Sequence, residues 1–174
     1  KVVGCIAACS MTFGSFAAVP NVNKTNQAVV SKSKVLPVDD SSRITFLGKP
    51  VQISSKNLAL NKKVPQVELV TPDLKTIKVG GTAGKIQVIA SIVSVNTPVC
   101  AKEVIDLNNL AKSFPKAQFI VVSKGLPFTM GSYAKRSNIK NIQLASSFRN
   151  DNFGSSFGTL ITGGVLKDLN TRAV

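Results

Sequence analysis

The chain has 174 residues, of which 44% are hydrophobic, so it is long enough to bury the core of one globular domain. It carries 22 Lys and Arg against 8 Asp and Glu, a net charge of +14, and it contains no histidine. The absence of histidine excludes Ser-His and Cys-His catalysis and most zinc sites. The lysines are scattered and aromatic residues are few, which favours a solvated basic surface suited to an anionic cell wall over specific nucleic-acid recognition.

The N-terminal segment, residues 1–18, predicts an export signal. It is apolar apart from small polar interruptions, and Ser15 and Ala17 are suitably spaced for a signal-peptidase cut. It is too short to span a membrane comfortably. Two alternatives stay open, a lipid anchor at Cys5 or Cys9 and an uncleaved membrane anchor. We therefore predict an exported protein that is extracellular, periplasmic or held in the cell envelope.

A polar linker separates this signal from the folded part of the chain. Residues 19–42 are rich in Asn, Ser, Lys and Asp and show neither helical nor strand periodicity, which predicts a disordered segment. Residues 43–174 are then the folded domain. If the signal is cleaved, Cys100 is the one cysteine left and no internal disulfide can form.

Two short strand pairs are predicted at the front of the domain. Ile44–Leu47 and Val51–Ile53 are apolar runs on either side of a Gly-Lys-Pro turn, which indicates a small hairpin. Gln66–Thr71 and Thr76–Val79 form a second pair, joined by a turn that begins at Pro72.

A strand, helix and strand follow in that order. Ile86–Val95 is almost continuously apolar and β-branched, which is typical of a strand covered on both faces. Pro98–Lys112 carries a helical apolar stripe, and Ala117–Ser123 is another buried strand. Phe128–Ser137 predicts a short helix and Ile142–Leu144 a third strand of the unit. Since such crossovers are right-handed and parallel, the fold class is α/β with antiparallel additions at the front.

Cys100 lies where the buried strand passes into the helix. Pro98 suits the first helical position and Thr97 is the natural N-cap, so Cys100 occupies the third helical position. There the sulfur faces unpaired backbone N–H groups and the positive end of the helix dipole, which stabilise thiolate over thiol. The thiolate is the form that attacks oxygen and sulfur electrophiles. A structural cysteine buried at a helix start is the alternative interpretation.

The sequence SVNTPVC, Ser94–Cys100, resembles the thiol peroxidase branch of the peroxiredoxins, whose usual pattern is a small residue followed by Asp-Thr-x-Val-Cys. The resemblance runs in order, with few gaps, from about Ile44 to Val174. It includes the segments ITFLGKPVQI, VPQVELVTPDLKTIKV, AGKIQVIASIVSV, LPF at Leu126–Phe128 and SSFRN at Ser146–Asn150. It implies a thioredoxin-like peroxiredoxin fold with an N-terminal β-hairpin.

The resemblance also implies a role for each site residue. Cys100 would be the peroxidatic cysteine, which attacks the terminal oxygen of a hydroperoxide and becomes a sulfenic acid. The Thr97 hydroxyl would contact thiolate and peroxide, and Pro98 would shield the sulfur from water. Arg149 would hold the thiolate and stabilise charge on the leaving oxygen. Without the resemblance, Arg149 would be interpreted as a surface cation.

Three departures from the family pattern bear on turnover and extent. The family usually carries a resolving cysteine in the helix after LPF, where this chain has Ala134. An external thiol reductant such as thioredoxin would then recycle the sulfenic acid, or turnover would be slow or absent and the sulfur exposed to further oxidation. Asn96 stands in place of the usual Asp. The sequence stops at Val174, where the family continues, so we expect a domain lacking its C-terminal strand and helix, most simply a fragment.

The leading functional hypothesis is an exported thiol-dependent peroxidase, acting on hydrogen peroxide or alkyl hydroperoxides without a metal or cofactor, and pairing as a homodimer as family members tend to do. The alternative is a catalytically degenerate protein of the same fold that binds a partner or the anionic cell envelope, with Cys100 vestigial or regulatory. A thiol–disulfide exchanger is disfavoured because position 97 is Thr, so the site has no C-x-x-C pair.

Overall fold

The computed structural model of the protein describes residues 44–54 and 58–174. The predicted export signal and linker, with Cys5 and Cys9, lie outside the described residues. The strands are β1 (Thr45–Phe46), β2 (Lys49–Pro50), β3 (Gln66–Val70), β4 (Thr76–Gly80), β5 (Ile86–Ser91), β6 (Ala117–Ser123) and β7 (Gln143–Ser146). The helices are α1 (Pro98–Ala111), α2 (Pro127–Arg136) and α3 (Asn152–Phe157). No helix of the described part is long and apolar enough to cross a membrane.

The main sheet has five strands in the order β4-β3-β7-β6-β5. Strands β5, β6 and β7 run parallel, whereas β3 runs antiparallel to both β4 and β7. Helices α1 and α2 are the two crossovers that connect the parallel strands. The predicted α/β class with antiparallel additions is confirmed. We call the edge where β5, β6 and β7 end the carboxyl edge, and the edge where they begin the amino edge.

The sequence predicts a strand over the whole apolar run Ile86–Val95, but only its first six residues form one. Strand β5 ends at Ser91, whose backbone exchanges hydrogen bonds with Ala173 at 2.8 and 3.2 Å. Ile92 and Val95 leave the strand but remain buried. Burial in the core, rather than continued strand pairing, therefore accounts for the apolar residues of this stretch.

The predicted N-terminal hairpin is confirmed, but its second strand is Lys49–Pro50 rather than Val51–Ile53. Leu47 and Gly48 have positive φ angles of 50° and 77°, the two-residue turn that suits a tight hairpin. Ile53 instead forms an isolated antiparallel bridge with Ile161. Helix α3 was not predicted, because its six residues are too few to show an apolar period.

Each face of the sheet buries its own apolar cluster. In β6, Ile120 and Val122 point into the cluster that contains Phe153 of α3, and Val121 points into the cluster that contains Cys100. This alternation is the two-residue period of a strand with both faces covered. The cysteine therefore lies on the side of the sheet covered by α1 and α2.

Candidate active site

The start of α1 has the geometry predicted from the sequence. Pro98 is the first helical residue, and Thr97 before it is extended with φ −90° and ψ 137°. The backbone N–H of Ala101 donates to the Thr97 carbonyl at 2.9 Å, which is the first bond of the helix. Cys100 is thus the third helical residue, in the turn whose N–H groups have no partner within the helix.

Thr97 is the N-cap residue, as predicted, but its side chain does not cap the helix. Its hydroxyl donates to the carbonyl of Ser94 at 3.0 Å and makes no capping hydrogen bond. The Thr97 N–H donates to the same carbonyl at 3.2 Å, and the Asn96 N–H donates to the Ser94 hydroxyl at 3.2 Å. A tight turn closed at Ser94 competes successfully for the hydroxyl, as Ser and Thr side chains often do near helix starts. The turn holds the Thr97 oxygen beside the first turn of α1.

Cys100 is buried among apolar side chains, with 3% of its surface exposed. It is a free cysteine and shares its cluster with Ile92, Val104 and Met130. Tyr133 of α2 also belongs to this cluster, and its hydroxyl donates to the carbonyl of Ala101 at 2.5 Å. That bond attaches α2 to the turn of α1 that carries the sulfur.

Buried serines at the carboxyl edge connect the loops around the site. The Ser123 hydroxyl donates to the carbonyl of Val93 at 3.3 Å and accepts from the N–H of Gly125 at 2.9 Å. The Ser146 hydroxyl donates to the carbonyl of Gly125 at 2.5 Å and accepts from the N–H of Phe148 at 3.2 Å. These hydrogen bonds therefore connect the loops that follow β5, β6 and β7, and they satisfy polar groups that are buried away from water.

Arg149 lies at the same carboxyl edge but does not contact the cysteine. Its side chain is exposed, and its guanidinium carbon lies 5.6 Å from the ring centroid of Phe148. No hydrogen bond of the described residues joins it to Thr97 or Cys100. Strand β6 lies between β7 and β5, so the loops carrying Arg149 and Cys100 follow strands that are about 10 Å apart.

Lys124 fixes the segment that follows Arg149. Its ammonium group forms an ion pair with Asp151 and donates to the carbonyl of Asn150 at 3.2 Å. The Lys124 side chain is only 15% exposed, so this contact is better shielded than a surface pair. Lys124 thus attaches the loop that carries Arg149 to the end of β6, in addition to the bond from the Ser146 hydroxyl to the Gly125 carbonyl.

A second ion pair attaches the C-terminal residues to α1. The Arg172 Nε lies 3.0 Å from the carboxylate of Glu103, whose side chain is 19% exposed. Glu103 is on the turn after Cys100, and the neighbouring Ala173 pairs with β5. The pair therefore holds the residues after Asn170 against the helix that carries the sulfur.

Sequence reasoning missed the residues that position the site. Ser94, Ser123 and Tyr133 act through hydrogen bonds between segments far apart in the chain, and no local pattern distinguishes them from ordinary polar residues. For the described residues, no group of three His, Cys, Asp or Glu side chains is placed to hold a metal ion.

Comparison with known proteins gives one consistent result. Residues 59–174 match the Redoxin family. The chain is 40% identical over 133 residues to a thiol peroxidase from Campylobacter jejuni, covering 76% of this chain and 75% of that protein. It is 32% identical over 135 residues to a thiol peroxidase from Leptospira interrogans, covering 76% and 79% of the two chains. The crystal structure of a peroxiredoxin-like protein from Aquifex aeolicus superposes with a TM-score of 0.69 at 34% identity, over 72% of each chain.

Proposed function

The chain belongs to the thiol peroxidase family of the peroxiredoxins and is a peroxidase enzyme, and on that premise we propose that Cys100 is its peroxidatic residue. The Cys100 thiolate attacks the terminal oxygen of a hydroperoxide, so that an S–O bond forms as the O–O bond breaks. The sulfur is oxidised by two electrons to a sulfenic acid, and the leaving oxygen takes a proton to give water or an alcohol. The observation that carries the proposal is the placement of Cys100 in the first turn of α1, the helix whose N-cap residue is Thr97.

Thr97 is proposed to orient the peroxide. Its hydroxyl is held by Ser94 in the turn before the helix, where the oxygen can accept a hydrogen bond from an incoming hydroperoxide. Donating to a carbonyl engages the hydrogen and leaves the lone pairs of the oxygen available. The Thr97 side chain therefore sits ready to bind a donor at the mouth of the cysteine site.

Arg149 is proposed to reach the site by turning away from Phe148. Its present contact is a single exposed stacking interaction, worth about 0.5–1 kcal/mol. A guanidinium brought to the developing oxygen charge would gain hydrogen bonds to an ionised group, which are stronger. Substrate binding can therefore supply the free energy for that change of rotamer.

Small hydroperoxides are the substrate class that fits the site best. The Cys100 side chain is 3% exposed, and apolar residues of α1, α2 and the sheet surround it. A molecule the size of hydrogen peroxide can approach such a sulfur with little displacement of its neighbours, whereas a bulky hydroperoxide cannot. Hydrogen peroxide and short alkyl hydroperoxides are therefore the proposed substrates.

Recycling is proposed to depend on an external thiol. Cys100 is the one cysteine of the described residues, and Ala134 occupies the position of the family's resolving cysteine. One thiol of a reductant such as thioredoxin would attack the sulfenic sulfur, forming a mixed disulfide and releasing water, and a second thiol of the reductant would then break that disulfide and release Cys100 as the thiol. Export and pairing as a homodimer remain part of the proposal, as does association with an anionic surface.

Replacing Ala134 with cysteine is expected to give the protein an internal resolving thiol. Ala134 packs against the cluster that contains Cys100, and its neighbour Tyr133 bonds to the turn carrying the sulfur. One equivalent of hydrogen peroxide should then produce an intramolecular disulfide, seen as a loss of two hydrogens by intact mass. The matched control is Ala101→Cys, which places the added thiol on α1, the helix that carries Cys100. A variant A134C that accumulates only sulfenic or sulfinic acid would contradict resolution from this helix.

The proposal as a whole is tested by trapping the oxidised sulfur. After one equivalent of hydrogen peroxide, a sulfenic-acid reagent should label wild-type protein at Cys100 and leave Cys100→Ser unlabelled. Intact mass followed by peptide mapping locates the adduct. Absence of label at Cys100 in folded wild-type protein would support the degenerate alternative, in which this cysteine is only a packed core residue.

A further inference from the structure

Positive charge collects at the amino edge of the sheet, opposite the edge that carries Cys100. This edge is formed by the segments that precede β5, β6 and β7, by the C-terminal ends of α1 and α2, and by residues 62–64, which line a depression together with Lys85 and Ile86. Each of these segments contributes exposed basic residues. They are Lys62, Lys63, Lys85, Lys112, Lys116, Lys135, Arg136 and Lys140.

Strand pairing places these residues side by side. Ile86 is paired with Ala117, so Lys85 and Lys116 are adjacent where β5 and β6 begin. Both crossover helices run from the carboxyl edge to the amino edge, because each leaves the end of one parallel strand and leads to the start of the next. The fold thus gathers onto one edge cations that are scattered along the sequence.

Part of this surface forms a shallow, open hollow. A depression of about 550 Å³ is lined by Lys62, Lys63 and Lys85 together with residues 81–84. The connection from β4 to β5 crosses the sheet here, and Gly81 and Gly84 give it φ angles of 70° and 64°. Glycine adopts these left-handed angles without strain, and Lys85, which follows Gly84, lines the same hollow as Lys62 and Lys63.

The carboxylates of the described residues lie elsewhere. Asp73 lies in the β3–β4 turn, where it pairs with Lys75, and Asp151 follows β7 at the carboxyl edge. The others lie in the middle of β3, in the first three turns of α1 and in the loop after Ile161; they are Glu68, Glu103, Asp106 and Asp168. Every ion pair found among the described residues uses a cation outside the amino edge. The cations of this edge are therefore not neutralised by carboxylates of the described chain.

Large apolar side chains are exposed among these cations. Leu60 is 70% exposed, Ile86 71% and Phe114 52%. Each is within two residues of a lysine of the same edge, namely Lys62, Lys85 and Lys116. A water-facing surface that alternates lysines with exposed apolar groups has the composition of a membrane-interfacial surface.

We propose that the amino edge docks on an anionic phospholipid bilayer. The lysines bind the headgroups, and Leu60, Ile86 and Phe114 enter the boundary with the acyl chains. Nucleic acid fits less well, because the edge offers a single aromatic ring and only one arginine, the residues that stack on and recognise bases. Bound in this way, the protein holds the carboxyl edge, with Thr97 and Cys100, away from the bilayer and open to dissolved peroxide and reductant.

Vesicle binding by the full chain tests the proposal. The protein is sedimented with phosphatidylcholine vesicles that contain or lack phosphatidylglycerol. The test variant carries Lys62→Gln, Lys63→Gln and Lys85→Gln, and the matched control carries Lys49→Gln, Lys78→Gln and Lys167→Gln, exposed lysines of other segments. Both have the same net charge and retain residues 1–43, so binding through that segment is common to the two. Peroxidase activity in solution should be the same in both variants.

Each lysine near an anionic surface contributes about a fivefold increase in partitioning, so the test variant should bind phosphatidylglycerol vesicles about a hundredfold more weakly. The control variant should bind nearly as tightly as wild type, and added salt should release both of these proteins from the vesicles. Leu60→Gln should weaken binding with the salt dependence unchanged. Equal binding by the two lysine variants would overturn the proposal. So would binding to single-stranded DNA that is as tight as binding to vesicles and insensitive to Leu60→Gln, because the edge would then be a general polyanion surface.

Discussion

Cys100→Ser is expected to lower peroxidase activity by at least about a thousandfold, because the nucleophile itself is lost. Serine is close to cysteine in size, so the apolar cluster formed with Ile92, Val104 and Met130 is little disturbed. The buried hydroxyl needs a hydrogen-bond partner that sulfur does not, which lowers the free energy of unfolding by about 1–2 kcal/mol. Activity is measured by consumption of hydrogen peroxide with a dithiol reductant, and folding by thermal unfolding.

Ala101→Ser is a suitable control for this substitution. It adds a hydroxyl to the adjacent residue of the same helical turn and leaves the sulfur in place. It should retain most of the activity. Peroxide consumption by folded Cys100→Ser at the wild-type rate would show that another group carries the reaction.

Thr97→Val is expected to lower the rate of reaction with peroxide by about a hundredfold. The substitution keeps the branched shape but removes the hydroxyl that Ser94 holds beside the first turn of α1. Loss of one preorganised hydrogen-bonding group at a reacting centre typically costs a factor of 10² to 10³. The structural cost is small, because the Ser94 carbonyl still accepts a hydrogen bond from the Thr97 N–H at 3.2 Å after the hydroxyl is removed.

Thr97→Ser separates the chemical role of the hydroxyl from its shape. It keeps the oxygen and loses the methyl group, so we expect a rate within a few-fold of wild type. The rates are compared by single-turnover oxidation of reduced protein, monitored by loss of the free thiol. If Thr97→Val and Thr97→Ser react equally fast, the hydroxyl does not orient the peroxide.

Much of the fold could be predicted from local patterns. Strand β6 was predicted with its observed bounds, and α1 to within one residue, because a buried strand and a Pro-initiated amphipathic helix each carry a strong periodic signal. The end of β5 was predicted too late, since the sequence shows that Ile92–Val95 is apolar but not that pairing stops at Ser91. Ser91 also forms a bridge with Ala173, which is remote in the sequence.

Some features of the candidate site could likewise be predicted from local sequence, and others could not. The placement of Thr97, Pro98 and Cys100 follows from helix-start chemistry within four residues. The direction of the Thr97 hydroxyl does not, because a turn at Ser94 competes with the helix for it. The position of Arg149 depends on the order of strands in the sheet, which no local pattern reveals.

The charge distribution is a third case. From the sequence, the lysines appear scattered, and only their excess over carboxylates can be recognised. Parallel strand order and the direction of the crossover helices then bring Lys85, Lys112 and Lys116 to one edge. The surface that results is a property of the topology, and could not have been predicted without it.

The most direct test of the catalytic account is the second-order rate constant for oxidation of Cys100 by hydrogen peroxide, measured by stopped flow on the reduced protein. A sulfur set in the first turn of α1 beside the Thr97 hydroxyl should react orders of magnitude faster than free cysteine at the same pH. A rate equal to that of free cysteine would contradict the account.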